Sequence, residues 1–430
     1  MKIYVGKNER IKGYDLVLIP GQNLYTGINS FMTHFKEATT LEIDLLNLSS
    51  AVYATDLALK RNPLENYIRT IDFSIEVVNF HAFERIKQNL VDALYTLSCD
   101  NWTINFVHVK GEAEAPKKDN SKDGVVLLFS GGLDSLCGSA YYASKGTPLE
   151  LVSHINTNRI TSGAQEQLYK AVKAHFKETV INRSEYRVNG RKRPKFPFPE
   201  EREDSQRTRS FLFLSLAALT ARRIGYDKII SISENGQFAI HLPLTSARVG
   251  PFSTHTADPK FVLIAQELFK LLLQMKSLSI ENPFLYHTKG EILVHLPKEL
   301  NEIIPQSVSC WKASRIEKNH CGECIPCFTR RIALESKGIV LKEYGVDLFS
   351  EQIEKVSPDD EGKRNLGDFL SFISVFNKTY KTDKSQLLFH FPELINDSFD
   401  YNAACDMYFR MTEQAINVLS SYPNIKKLLL

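Results

Sequence analysis

Val125-Val-Leu-Leu-Phe129-Ser130-Gly131-Gly132-Leu133-Asp134-Ser135 is an apolar run that passes without a break into Ser-Gly-Gly-Leu-Asp-Ser and then into residues with helical spacing. Two adjacent glycines let the backbone turn tightly and approach an anion closely, while freed amides and the positive end of the following helix point at it. Phosphate is the natural occupant. The hydroxyls of Ser130 and Ser135 add donors, and Asp134 is placed to cap the helix or to help hold Mg2+. No lysine follows the glycines, so this is not the Walker loop, whose lysine grips the terminal phosphates.

Around this loop, apolar runs at 125–129 and 149–155 alternate with helical patterns at 134–144 and 164–176, and a helix at 210–224 precedes a strand at 228–233. Such alternation predicts an α/β fold with a doubly wound parallel sheet over 125–340. Within it, 189–209 carries a basic group (Arg191, Lys192, Arg193, Lys195), three prolines and an acidic group (Glu200, Glu201, Glu203, Asp204). It reads as a solvated loop, or else as a lid that closes over phosphates. Residues 1–110 mix strand-like stretches (41–46, 69–78, 101–109) with helix-like ones (48–60, 82–97) and form an N-terminal α/β accessory domain without a recognisable site. The polar stretch 111–124 reads as a linker. Amphipathic patterns at 365–376 and 402–420 give 341–430 as a helical C-terminal extension.

The chain has 430 residues, more than one hydrophobic core usually supports, with 43% hydrophobic and 24% charged residues. Lys and Arg number 53 against 50 acidic residues, and the resulting +3 is too small for the basic field that phosphate-dominated binding of nucleic acid needs. The charged N-terminus does not read as a signal peptide, and the most apolar helical stretch, 211–221, is far short of the ~20 residues that span a bilayer. A cytoplasmic protein is expected, bound neither to membrane nor directly to nucleic acid.

Four of the seven cysteines crowd into 310–327, as Cys310, Cys321, Cys324 and Cys327. Two overlapping Cys-x-x-Cys steps supply three thiolates from one knuckle, and the distant fourth completes a tetrahedron around Zn2+ with no open position. The site is expected to be structural; an iron-sulfur cluster is the competitor. His320 is a spare donor, and Cys99, Cys137 and Cys405 read as buried small hydrophobes.

The stretch Ser130–Ser135 resembles the PP-loop of the ATP pyrophosphatase superfamily. That resemblance implies cleavage of ATP between its α- and β-phosphates, with AMP passing to a substrate oxygen. Arg209, at the start of the helix after Thr208, and Lys289, in Thr288-Lys289-Gly290-Glu291, offer fixed cations. The loop, the Arg209 helix, the Lys289 turn and the cysteine cluster, in this order, look like 7-cyano-7-deazaguanine (preQ0) synthase of the QueC family, over about 125–339. The resemblance implies that Ser130, Gly131, Gly132, Leu133, Asp134 and Ser135 hold ATP, that Ser130, Asp134, Ser135, Arg209 and Lys289 serve catalysis, and that the four cysteines bind zinc. In that family a 7-deazaguanine carboxylate is adenylated and ammonia displaces AMP.

The chain departs from the family pattern at 155–159, where Ile155-Asn-Thr-Asn-Arg159 replaces Tyr-Gly-Gln, and at 252–259, where the substrate-reading Tyr-Pro-Asp-Cys-Arg is absent. Glu234, Asn235, His255 and Asp258 are the remaining candidates for reading the substrate. The extended architecture is similar to the QueC-like proteins of bacterial antiphage defence operons, most closely the QatC type. This leads to the expectation of a protein partner from the same operon, whose amine takes the place of ammonia and docks on the added segments; the alternatives are a preQ0 synthase that uses ammonia and a non-catalytic scaffold in a defence complex.

Overall fold

The computed structural model describes residues 1–430 except 9–10, 114–120, 156–158, 246–254, 314–318, 343, 352 and 430. The predicted linker and the substituted stretches at 155–159 and 252–259 therefore lie partly outside the described residues. From the N-terminus the chain forms β1 (Lys2–Val5), β2 (Leu16–Leu18), β3 (Leu24–Thr26), α1 (Ile28–Phe35), α2 (Thr40–Ala58), β4 (Thr70–Val77), α3 (Phe80–Ser98) and β5 (Asn101–His108). β1, β2, β4 and β5 make a parallel sheet in the order β2-β1-β4-β5.

The strand expected at 41–46 is instead the opening of α2. A capping box starts this helix, with the Thr39 hydroxyl accepting from the Glu42 amide and the Glu42 carboxylate accepting from the Thr39 amide. Almost every residue that follows is buried, from Leu41 to Ala58. A helix covered on all sides shows no amphipathic stripe, so its apolar residues run together as they do in a buried strand.

The central domain continues with β6 (Val125–Leu128), α4 (Leu133–Ala143), β7 (Leu149–Ile155), α5 (Arg159–His175), β8 (Ile181–Gly190), α6 (Arg209–Ile224), β9 (Ile229–Ser231), α7 (Gly236–Ala239), α8 (Pro259–Leu273) and β10 (Ser279–Glu281). The second sheet runs β10-β9-β6-β7-β8-β3, parallel except for β3, which pairs antiparallel with β8. Alternate residues of β6 face opposite layers. Val126 joins the core made by α2, α3, α6 and α8, and Val125 and Leu127 join the core under α4 and α5. The sheet is doubly wound. Successive strands run from β6 to β7 and β8 on one side and return to β9 and β10 on the other, so β6 is the switch point, where α/β sheets bind ligands beyond their carboxyl ends.

The N-terminal segment is not packed as a separate body. It lends β3 to the central sheet, and its Ile3, Phe73 and Ile86 share one apolar core with Tyr186 and Leu216 of the central domain. A buried ionic network crosses the same boundary. Asp100 accepts both guanidinium arms of Arg61 at 2.7 Å and the Arg69 side chain at 2.6 Å, while Arg69 also meets Asp56 at 2.5 Å. The second oxygen of Asp56 accepts from the Thr208 backbone amide, immediately before Arg209. The 189–209 stretch is laced onto this region rather than left free: Phe198 is buried, the Glu203 carboxylate accepts from the Arg61 amide, and Arg207 donates to the Ser98 carbonyl.

The last quarter of the chain forms α9 (Ile325–Glu335), α10 (Glu361–Thr382), α11 (Leu387–His390) and α12 (Tyr401–Leu419), around a core that includes Phe328, Phe369, Phe376 and Tyr408. Among the described residues no helix is long and apolar enough to cross a membrane.

Asp100→Asn would leave two buried arginines without half of their counter-charge and should destabilise the chain by about 3–5 kcal/mol in denaturant unfolding. Burial alone would raise the Asp100 carboxyl, but hydrogen bonds and charge from Arg69 and then Arg61 hold it below the usual range. Its contribution is thus complete above an unfolded-state pKa of about 3.9 and is lost as pH falls through the lower folded value. The acid-unfolding curve of Asp100→Asn should be correspondingly flatter.

Candidate functional site

The turn after β6 places Gly131 at φ +83°, where only glycine is relaxed, and a Cβ there would stand 3.0 Å from Cγ and 3.1 Å from the backbone nitrogen of Gln165 on α5. Gln165 is buried and its side-chain amide faces the carbonyls of Ser130 and His154, at 3.4 and 3.3 Å. From the other side the Val308 amide donates to the Gly131 carbonyl at 2.9 Å. The loop is therefore held by its carbonyls. Gly132 is the N-cap of α4 and no side chain caps the helix, so its first amides are left for a ligand. Ser130 is exposed, its hydroxyl accepts from the Gly132 amide at 3.3 Å, and the Ser135 hydroxyl donates to the Gly132 carbonyl at 3.0 Å. Leu133, the first residue of α4, is fully buried and anchors the turn in the core.

Asp134 lies inside the first turn and does not cap the helix. One of its oxygens meets the Lys289 ammonium at 2.5 Å, and the other accepts from the Asn235 side chain at 2.7 Å. Asn235 also donates to Glu234 at 3.2 Å. Burial pushes the Asp134 carboxyl upward, but the charge of Lys289, a hydrogen bond with Glu234 and those from Lys289 and Asn235 hold it below the usual range. The result is a water-poor ionised pair beside the loop, with Glu234 and Asn235 at its rim. In Thr288-Lys289-Gly290-Glu291, Thr288 and Glu291 bond to each other's amides, so they fix the turn and leave Lys289 as its charged output.

Among the described residues, Arg209, His255 and Asp258 make no hydrogen bond or ion pair with Asp134 or Lys289. Arg209 opens α6 and its guanidinium lies 5.4 Å from the Phe213 ring, without a hydrogen bond or ion pair to another described residue. It borders His154, which burial pushes down to about 4, with the Arg209 charge adding to the effect. Asp258 is the N-cap of α8, where its carboxylate accepts from the Lys260 and Phe261 amides, which accounts for it without a ligand. His255 faces Asp258 at 3.6 Å and the His241 ring at 4.8 Å.

The four sulfurs of Cys310, Cys321, Cys324 and Cys327 lie within 4.8 Å of one another, and all four residues are buried. The contacts of 3.8 and 3.9 Å between Cys321 and Cys327 and between Cys324 and Cys310 match the edge of about 3.8 Å of a tetrahedron with Zn–S bonds of about 2.3 Å. A cluster of several irons would hold its sulfurs farther apart. Amides of Lys312 and Cys321 point at the Cys310 sulfur and that of Glu323 at Cys321, as partners of thiolate ligands do. The donor set fits zinc, and His320 is outside it.

Sequence reasoning missed what joins this centre to the loop. Arg330 on α9 is fully buried; it donates to the Ser307 hydroxyl at 2.8 Å and the Ile304 carbonyl at 2.7 Å, with Ser309 at 3.4 Å. It thereby fixes the strap 304–310 that carries both Val308, against Gly131, and Cys310 of the cysteine cluster. Its place about one turn beyond Cys327, at the first of two adjacent arginines, was the only available signal. Nothing in the sequence marks Val308 or Gln165.

The family profile described as Queuosine biosynthesis protein QueC matches residues 124–338, half of the chain, and spans the loop, the Lys289 turn and all four cysteines. The chain belongs to the QueC family. At the level of the QueC family it is an ATP-using enzyme of the preQ0-synthase-like, PP-loop type. A comparison with curated proteins found no match.

Metal analysis should return one zinc per chain. Several irons with a visible absorption band would contradict the tetrahedral fit, as would full metal content in Cys324→Ser/Cys327→Ser. Because the strap touches both sites, the same double variant should also bind ATP more weakly in equilibrium titration, even where its circular dichroism is unchanged.

Proposed function

We propose that this chain activates the carboxylate of a 7-deazaguanine by adenylation, in the cytoplasm and as part of an antiphage system of the QatC kind. The observation that carries the reading is the loop at the switch point, with amides open and an ionised Asp134–Lys289 pair behind it. In the step, a carboxylate oxygen attacks the α-phosphorus, the bond to the bridging oxygen breaks, and pyrophosphate leaves. Loop amides and the hydroxyls of Ser130 and Ser135 stabilise phosphate charge, and Arg209, free of any described counter-ion, is available to the substrate carboxylate or the phosphates. Magnesium arrives with the nucleotide. Zinc holds the 304–310 strap and takes no part in bond making.

An amine then attacks the acyl carbon, loses a proton, and AMP departs with the carboxylate oxygen. In our reading the amine belongs to a protein partner encoded beside this chain. Positioning such an amine requires surface beyond the family domain, and this chain carries residues 1–123 and 339–430 in addition to it. The second reading is a preQ0 synthase that uses ammonia, which the family membership itself favours.

Pyrophosphate release measured with 7-carboxy-7-deazaguanine should depend on both substrates, and ADP formation would refute the scheme. Ser135→Ala should lower the rate by about 10²-fold through the loss of one donor to the transition state. Intact-mass spectrometry of operon partners incubated with enzyme, ATP and the carboxylate should show a mass gain on one of them. Efficient conversion of ammonia to nitrile with no partner modified would establish the synthase reading instead.

A further inference from the structure

The turns that carry Lys289 and Asn235 are fastened from outside the family domain, by α12. The Tyr408 hydroxyl is buried; it donates to the Gln237 carbonyl and accepts from the Leu242 amide, both at 3.0 Å. Gln237 in turn accepts the Lys289 backbone amide on its side-chain oxygen at 2.7 Å. Two residues along α12, the Arg410 guanidinium donates to the Glu291 carboxylate at 2.6 Å and to the Tyr286 carbonyl at 2.8 Å. One turn further, Gln414 accepts from the Thr288 hydroxyl at 3.0 Å. Met407 closes the set. A Cβ on Gly236, the residue after Asn235, would lie 2.8 Å from its terminal methyl and 2.2 Å from the Leu285 carbonyl.

Four residues within about two turns of α12 thus touch both sides of the ion pair: Met407 and Tyr408 the Asn235 turn, Arg410 and Gln414 the Lys289 turn. The matched family region ends at residue 338, whereas α12 begins at Tyr401. An ammonium and a carboxylate in a water-poor site lose their geometry if either turn relaxes, because no solvent replaces the lost partner.

We infer that Tyr408 and Arg410 are positioning residues for catalysis, acting through Lys289, and that the C-terminal extension is in this respect part of the active site. The effect on turnover rests on the adenylation reading; the geometric claim does not. A residue that serves only the stability of the helical core would change activity independently of Lys289, whereas a positioning residue would not.

The test is a double-mutant cycle in the full-length zinc-loaded chain, with pyrophosphate release as the readout. Tyr408→Phe should lower kcat by about tenfold with KM for ATP within about twofold, and should cause no further loss in a Lys289→Ala background. Equal losses in both backgrounds, or none in the native one, would overturn the inference. Arg410→Gln, at a partly exposed guanidinium, repeats the cycle if Tyr408→Phe does not fold. Independently of turnover, mass spectrometry after a pulse of amine-acylating reagent should show faster labelling of Lys289 in both variants than in the native chain. Unchanged labelling would overturn the inference even where activity falls. A native chain that releases no pyrophosphate would defeat the adenylation reading and leave the labelling result to decide the geometry.

Discussion

Lys289 and Asp134 bring together a cation and an anion from turns 155 residues apart, at a place nearly closed to water. Such a pair is weak evidence for stability, since the desolvation of both partners offsets most of their attraction. Its structural consequence is stronger. Once either charge is buried the other must be present, and everything that fixes their backbones becomes obligatory. Asp134 is fixed by the start of α4, hence by the Gly131 turn; Lys289 by the Thr288–Glu291 capping pair and Gln237; Asn235 by the short α7. The loop, the family's lysine turn and the C-terminal helix are parts of one arrangement.

Two further supports reach the same edge of the sheet. The strap held by Arg330 ties the cysteine centre to the Gly131 carbonyl, so a metal held by the four cysteines would bear on the geometry of the loop's amides. On the opposite flank, Asp56 accepts from the Thr208 amide and connects the buried arginines of the N-terminal segment to the first turn of α6, where Arg209 begins. The segments outside the family domain thus bear on the lysine turn, through α12, and on the first turn of α6, through Asp56.

Much of this was legible in the sequence for physical reasons. Half-buried elements such as α3, β5, α5 and α12 declare their period, and the glycine pair and the cysteine spacing are local constraints that few other structures impose. What was not legible depended on contacts distant in sequence. α2 hides its helical period because it is buried all round. β8 and α8 were passed over, the first being a strand with polar residues throughout, the second lying beside a stretch read only for substrate residues. Asp258, singled out for chemistry, has the ordinary task of starting α8. The props of the loop, Gln165, Val308 and Arg330, and the clamp formed by Tyr408 and Arg410 have no motif, because a hydrogen bond between elements leaves no spacing to read.

The central claim is that the switch-point loop serves transfer of AMP to a carboxylate. Its most direct measurement uses 7-carboxy-7-deazaguanine carrying 18O in the carboxylate, with ATP and an amine acceptor, and analyses the nucleotide product by mass spectrometry. The account predicts AMP containing one 18O atom, formed one for one with pyrophosphate. AMP without label, or ADP as the product, would contradict it.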